Sequence, residues 1–581
     1  MGVGHTLFIL RRQKREGAAR KGMRILVLVV LGLGLFLPGA EVCAQSVDPG
    51  AIRERGEDTR EYYRLEERFR EQKKPESEES RVEDKTEGKL EAEPEAGEQT
   101  IYISRIVTSP SEVLTGEEIR GITARYEGKT ASIKDLFEAI RRINELYAER
   151  SVAARAVLPP QKVEKGLVRI ELIEGRIGNV AVEGNRYTKD SYFTKRISLK
   201  RGDLVRLDSL EKDLLFLNNL SDVGVRAELR PGGAVGTTDC VITAREPGNC
   251  LAALFADNAG NDSVGLYRFG AMLGSRSLLG YRDTLFLNAL FTKEGGTVSG
   301  SAAYSVPVGT LGTRLGLSYS YNQIEVISGP YKVLDITGES SDSGMDLTHP
   351  FVVNPAFRLS GFTGLHFSKS TTDFDGARLY STRVRTVNTG FDVQSLDESG
   401  AWYTRHRLTQ GLGISGGDVE FLKYNPFLLR QQVLGEECVL MLRVSGQITR
   451  KRSLPPSEQF QIGGASSVRG YPEGFLIGDK GYLASAELSF PLPVPEGRIL
   501  GMDLGRALAG IAFVDHGGAF PYKPGGGSMT HRDYITGAGV GLTVNLPRFL
   551  IGRLSLGIPI TNRGSLEDSY LLHFHIQSEL F

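Results

Sequence analysis

Two hydrophobic periodicities divide the chain. From Cys250 to Phe581 the spacing is two. Leu285, Leu287, Ala289 and Phe291 alternate with Thr284, Phe286, Asn288 and Leu290, and Leu315, Leu317, Tyr319 and Tyr321 with Arg314, Gly316, Ser318 and Ser320. Leu440, Leu442, Val444 and Ile448 alternate with Met441, Arg443, Ser445 and Gln447, and Val540, Leu542, Val544 and Leu546 with Gly539, Gly541, Thr543 and Asn545. Successive side chains of a strand point to opposite faces, so one face is greasy and the other mostly small or polar. No helical pattern in these 332 residues supplies a cover for a sheet. A closed barrel is the sheet arrangement that pairs every backbone group in lipid. The pattern therefore predicts a transmembrane antiparallel β-barrel over 248–581, with about 16 strands at roughly 20 residues per strand and connection.

Between 101 and 247 the period switches. A strand, IYISRIVTS, precedes a helix that carries Ile133, Leu136, Ile140, Ile143 and Tyr147 on one face. Ser132 with Asp135 forms a capping-box start for it. The alternating strand LVRIELIEG follows a turn at Gly166. A second part repeats the plan: IGNVAVEGN, a helix with Leu207, Leu210, Leu214 and Leu217, then VGVRAEL and TTDCVITARE. Two α+β units of order β-α-α-β-β are expected, over 101–175 and 176–247.

The start of the chain has neither period. Ile25–Leu37 is apolar but too short for a membrane helix, which needs about 20 residues. Lys21 and Arg24 precede it, and Val42-Cys43-Ala44 follow, so residues 1–44 read as a signal peptide cut after Ala44, with Met23 an alternative start to Met1. Residues 45–100 carry 11 basic and 18 acidic residues and few large apolar ones. They cannot bury enough surface to fold alone. Residues 45–72 are helix-prone and 73–100 read as a flexible charged linker.

Composition narrows the function. Lys plus Arg and Asp plus Glu are 70 each, so no basic field points to nucleic acid. Four cysteines are too few for a disulfide scaffold, and three follow the leader: Cys240, Cys250 and Cys438. The plain reading is three unpaired thiols, with a Cys240–Cys250 bridge the alternative. His573 and His575 share a face of the last strand, but no third ligand is near, so lumen-facing polar residues are expected rather than a metal site. No nucleophile–base order and no phosphate loop is supported, so no cofactor and no enzymatic activity are expected. Trp402, the one Trp, suits a membrane interface. Phe581 lies out of step with the apolar phase Leu572, Phe574, Ile576 and Leu580.

Four stretches resemble the two-partner secretion outer-membrane transporters, the TpsB family of haemolysin secretion/activation proteins. LPPQKVEKGLVRIELIEGRIGNVAVEGN is similar to the junction of that family's two POTRA domains through Leu158, Pro159, Gln161, Gly166, Glu174 and Gly175. Ser151 departs from it, standing where the family usually has Gly. DNAGNDSVGLYR is similar to the start of its barrel through Asp257, Asn258, Gly260, Gly265 and Arg268. The strongest likeness is the loop 463–478, with Gly463, Gly464, Val468, Arg469, Gly470 and Tyr471, continued by Asp479, Gly481, Glu487 and Pro491. Phe513, Asp515 and Gly517 fit its partner strand motif.

The resemblance implies POTRA domains in the periplasm and a barrel in the outer membrane of a Gram-negative cell. It implies that the 463–478 loop folds into the lumen, that Arg469 meets Asp515 there with Tyr471 beside the pair, and that the 45–72 helix plugs the pore. Phe513 and Asp515 share one face of their strand, whereas Leu508, Gly510, Ala512 and Val514 suit lipid. The partners implied are a secreted exoprotein, expected to be β-helical, outer-membrane lipid, and the barrel-assembly machinery for insertion. Transport would use no nucleotide. A barrel-assembly insertase and a general porin are the alternatives; an insertase would carry more POTRA units, and a porin needs none.

Overall fold

The computed structural model describes residues 82–84 and 100–580, apart from 235, 414–419, 436, 451–452, 496, 521–532, 547–548, 562–565 and 567. The expected leader, the 45–72 helix and Phe581 lie outside the described residues.

The linker carries a strand that its composition hides. Strand β1 (Val82–Asp84) adds in parallel to a sheet edge of the second α+β unit, with Val82 packed on that unit's core. Pairing to a preformed edge satisfies the backbone of a segment too polar to fold by itself. The first unit holds β2 (Thr100–Ile103), β3 (Arg105–Thr108), α1 (Gly116–Thr123), β4 (Lys129–Ser132), α2 (Ile133–Glu149), β5 (Ala154–Val157) and β6 (Leu167–Glu174). It thus departs from the simple β-α-α-β-β order. The first strand breaks in two at Ser104, and β2 pairs with β4 apart from the β3-β6-β5 sheet. The capping box at Ser132 is formed, and α2 buries Leu136, Ala139, Ile140, Ile143 and Tyr147. The second unit is β7 (Arg176–Glu183), α3 (Asp190–Thr194), α4 (Leu207–Leu220), β8 (Gly224–Pro231) and β9 (Thr237–Arg245), in the sheet order β1-β8-β9-β7. Leu210, Leu214 and Leu217 fill its core. Cys240, Cys250 and Cys438 are all unpaired, and burial pushes the Cys240 thiol up to about 11.

Sixteen strands, from Cys250–Asp257 to Leu571–Glu579, close into an antiparallel barrel. An even number returns the last strand to the side that carries the α+β units. The alternation sorts as the period requires. Leu317, Val444, Val514 and Val540 are exposed on the outer wall, and Asn288, Ser320, Arg443 and Thr543 are buried on the inner one. Trp402 is exposed at the near end of its strand, with the Arg430 guanidinium 5.0 Å from its ring. Tyr482, His516, Phe520 and Tyr534 form an aromatic cluster toward the far end, as the girdles of membrane barrels do.

The second unit docks on the barrel's near rim. Asp222 reaches Arg276 (3.1 Å) and Arg282, and Arg196 donates to the Gly309 carbonyl at 3.0 Å. The Lys189 amide bonds the Gly280 carbonyl at 2.9 Å, and its ammonium lies 4.5 Å from the Tyr281 ring centre.

Candidate functional site

The connection between the strands Cys438–Thr449 and Lys480–Pro491 leaves the far rim and turns back into the lumen. Its base is pinned: the Asp479 carboxylate accepts the Leu454 amide at 2.8 Å and the Ser453 amide at 3.2 Å. Phe460–Ile462 and Leu476–Gly478 then pair as a short ribbon that carries the tip inward. At the tip, Gly463 donates to the Ser467 hydroxyl at 2.8 Å, Gly464 donates to the Val468 carbonyl at 3.2 Å, and the Glu473 carboxylate accepts the Ala465 amide at 2.7 Å.

Arg469 is 4% exposed and Asp515 0%. Arg469 Nε donates to Asp515 Oδ2 at 2.7 Å, Nη2 to Oδ1 at 2.9 Å, and the Arg469 amide to Oδ2 at 3.1 Å. The Ser485 hydroxyl adds a donor to Oδ1 at 2.6 Å. The fork-on-carboxylate geometry fixes orientation as well as charge. The guanidinium also lies over the Phe513 ring, 3.4 Å from its centre. Phe513 and Asp515 thus share the inner face, with Val514 outward. Gly517, next on that face, leaves room for Ile462 of the loop; a Cβ there would stand 3.2 Å from its Cδ1.

Sequence reasoning found this pair but not its extent. Arg469 Nη1 also bonds Glu487, and Glu487 binds Arg553 of the neighbouring wall. These buried contacts join two cations and two carboxylates. Glu487 was in register with the loop motif, but Arg553 gave no signal beyond its inward phase on Leu550–Pro559. His573 faces the lumen, as its strand phase requires, but it is more than a polar lining residue. Its Nε2 accepts the Gly470 amide at 3.2 Å. His575 stands 3.5 Å from Asp257, which holds Arg268 with contacts of 2.6 and 3.0 Å. Among the described residues no cluster of His, Cys, Asp or Glu suits a metal ion.

Tyr471 is anchored away from the ion pair. Its hydroxyl donates to the Thr536 carbonyl at 3.0 Å, contacts the Thr561 carbonyl, and accepts the Thr561 amide at 3.2 Å. Val468 and Tyr471 are fully buried with Ile462, Leu483, Ala519 and Ile535. Gly470 has φ +94°, a turn that other residues resist. The wall beneath it is also bare. A Cβ on Gly537 would stand 1.9 Å from the Arg469 carbonyl oxygen, and one on Gly557 2.3 Å from the Gly470 nitrogen. The tip therefore rests on wall backbone, through two glycines that the sequence reading did not single out.

The junction motif of the α+β units proves structural in its contacts. Leu158 packs on the first core, and Pro159 precedes Gln161, whose amide brackets Arg169 with bonds of 2.7 Å to its carbonyl and 2.8 Å from its amide. Gly166 turns at φ +74° against Ser104, and Gly175 faces the Ala153 carbonyl. Glu174 accepts the Glu112 amide at 3.0 Å and the Tyr147 hydroxyl at 3.1 Å.

A family model, haemolysin secretion/activation protein ShlB/FhaC/HecB, matches residues 236–544, and the ShlB-type POTRA domain matches 101–175. The heme/hemopexin transporter protein HuxB of Haemophilus influenzae (strain 86-028NP) is 27% identical over 431 residues, covering 71% of this chain and 74% of its own. The outer membrane transporter CdiB of Dickeya dadantii (strain 3937) is 24% identical over 479 residues, covering 78% and 81%. Among solved structures, CdiB from Escherichia coli aligns with a TM-score of 0.63 at 19% identity over 93% of this chain and all of that one. BamA from Haemophilus ducreyi lacking POTRA domains 1–3 aligns at 0.53 and 15% identity, over 83% of this chain and all of that one. These structural likenesses concern the fold.

Proposed function

The chain belongs to the haemolysin secretion/activation protein family (ShlB/FhaC/HecB), and from that membership we propose how its parts act. It is an outer-membrane transporter whose POTRA domains stand in the periplasm and whose barrel passes a partner exoprotein to the cell surface. The observation that carries the mechanism is the buried tip, where Arg469 joins Asp515 and Glu487 at the inner wall. A chain in transit needs the space this loop fills. Arg469, Gly470 and Tyr471 are then a lock, and Phe513, Asp515 and Gly517 its seat. In the resting state the lock is closed.

The POTRA domains hold the partner in an extended state. Sheet edges receive such chains by strand addition, and β1 already occupies the β8 edge in this way. The 45–72 helix plugs the lumen at rest. The partner is a β-helical protein whose folding outside draws the chain through, and the barrel-assembly machinery inserts the pore. Transport requires no nucleotide and no catalytic residue.

Comparison of culture media from cells with and without this protein tests the reading. One large extracellular protein should disappear on deletion and return with the wild-type chain. A general loss of outer-membrane barrels would instead indicate an insertase and end the export reading.

A further inference from the structure

The near rim carries a hairpin whose surroundings suit a lipid headgroup. Arg498–Ile499 pairs with Met502–Asp503, and a helical turn, Leu504–Ala507, leads back into the strand Leu508–Phe520. The turn residues Leu500 and Gly501 both have positive φ, +52° and +87°. Such turns favour Asn-Gly or Gly-Gly. A Leu in that conformation is strained, and here its side chain is exposed.

The hairpin lies against the outer wall. Val540 and Leu542 of the strand Tyr534–Leu546 are exposed in the lipid-facing phase. Leu546 continues that phase, yet it is 1% exposed, and the helical turn contacts its strand. Between hairpin and wall is an open depression of about 620 Å³, lined by Arg498, Leu500, Asp503, Arg506, Leu546 and Phe549 among others. Phe549 is exposed. Neither arginine side chain makes an ion pair or hydrogen bond among the described residues. Asp503 is the one anion of the lining, and its Oδ1 accepts the Gly505 amide at 2.9 Å.

We propose that this depression binds the phosphate headgroup of an anionic phospholipid in the leaflet nearest the POTRA domains. Arg498 and Arg506 hold the phosphate, and Leu500 and Phe549 lie along the first acyl carbons. Two guanidinium groups beside exposed apolar side chains, at the edge of the lipid-facing band, match the layered chemistry of a lipid: charge outside, hydrocarbon inside. A free anion would match the arginines but not Leu500 and Phe549. The proposal rests on the barrel crossing a membrane, not on what passes through it.

Native mass spectrometry of the full chain, released from detergent micelles doped with phosphatidylglycerol or phosphatidylcholine, tests it. The wild type should retain phosphatidylglycerol in preference. Each cation near an anionic surface contributes about fivefold in affinity, so Arg498→Gln/Arg506→Gln should bind phosphatidylglycerol roughly 25-fold more weakly, with a smaller loss for phosphatidylcholine, whose choline offsets its phosphate. Arg498→Lys/Arg506→Lys should keep most of the preference, and Leu500→Ser/Phe549→Ser should weaken retention of both lipids. A shift in gel mobility on heating verifies that each variant forms the barrel. Unchanged phosphatidylglycerol retention in the Gln variant would overturn the proposal. So would displacement of the lipid by millimolar inorganic phosphate, which would reveal a free-anion site.

Discussion

Replacing Asp515 by Ala isolates the central contact. Arg469 would lose three of its hydrogen bonds at once, the two from its guanidinium and the one from its amide. The Ser485 hydroxyl would lose its acceptor. The cluster, neutral with two cations and two carboxylates, would carry a net positive charge in a place sealed from water. Breaking one partner of a buried pair costs about 3–5 kcal/mol. Glu487 still faces Arg469, so the lower end, about 3 kcal/mol, is expected. Arg469→Ala should cost as much, because it leaves Asp515 fully buried without a cation. The double variant removes both charges together, so its loss should fall short of the sum by about 2 kcal/mol or more. The assay is barrel unfolding followed by gel mobility at increasing temperature, run beside secretion of the partner. Single reversals, Arg469→Asp and Asp515→Arg, should each abolish secretion. The exchanged pair should not restore it fully, because Arg469→Asp sets a second carboxylate against Glu487. Additive losses in the double variant, or normal secretion by either single reversal, would refute the lock.

Four further outcomes are expected. Gly537→Ala and Gly557→Ala should displace the loop tip and raise conductance as Arg469 loss does; Gly300→Ala, whose Cβ would meet nothing closer than 3.9 Å, should be silent. Deletion of 48–72 should raise the ion conductance of single pores in planar bilayers, and an unchanged conductance would remove the plug. Asp222→Ala strips the partner from Arg282, which is 2% exposed, and should cost about 2 kcal/mol, between exposed and buried pairs; spin labels on the second POTRA domain and the rim should report a broader distance distribution. Burial raises the Glu174 pKa, but the Ser111 hydroxyl and the Glu112 amide outweigh it and hold the carboxyl below its ordinary 4.5. A depressed carboxyl stabilises the fold above its ordinary pKa and loses that contribution as the pH falls through the lower folded value, so Glu174→Gln should flatten the acid limb of POTRA unfolding.

The barrel was legible because its physics is repetitive. A period of two in strands such as Thr284–Thr292 or Tyr534–Leu546 records lipid on one side and water on the other. Arg469 and Asp515 were legible through resemblance, since nothing local pairs residues 46 positions apart. What stayed hidden was hidden for stated reasons. Arg553 and His573 look like any inward polar residue, because closure of the barrel alone brings them to the loop. Val82–Asp84 has the composition of a solvated linker, and its order comes from an edge supplied by β8. At Ser151, which departs from the family pattern, the φ of +52° shows why a glycine suits the site. Ser151→Gly relieves that strain but loosens the unfolded chain, for a net gain of about 0.5 kcal/mol, readable as slower exchange of the Val152 amide, which donates to the Tyr147 carbonyl.

The loop is held in two physically different ways, and they should fail separately. The charge cluster is directional and strong only while dry. The backbone seat on Gly537 and Gly557, with the Tyr471 hydroxyl on Thr536 and Thr561, carries no net charge. Arg469→Met keeps an unbranched apolar stem and drops the charged fork. It leaves Gly470 on His573 and Tyr471 in place, but strands Asp515 beside Glu487, so the wall rather than the loop bears the strain. Gly557→Ala does the reverse: the charges are intact, but the tip has no place to sit. If transport needs only a vacated lumen, both variants should open the pore in bilayers. If it needs the cluster to re-form after each passage, Arg469→Met should conduct ions yet fail to secrete repeatedly. Equal conductance with unequal secretion would therefore assign the ion pairs to resetting the pore, and equal conductance with equal secretion would assign them to holding it shut.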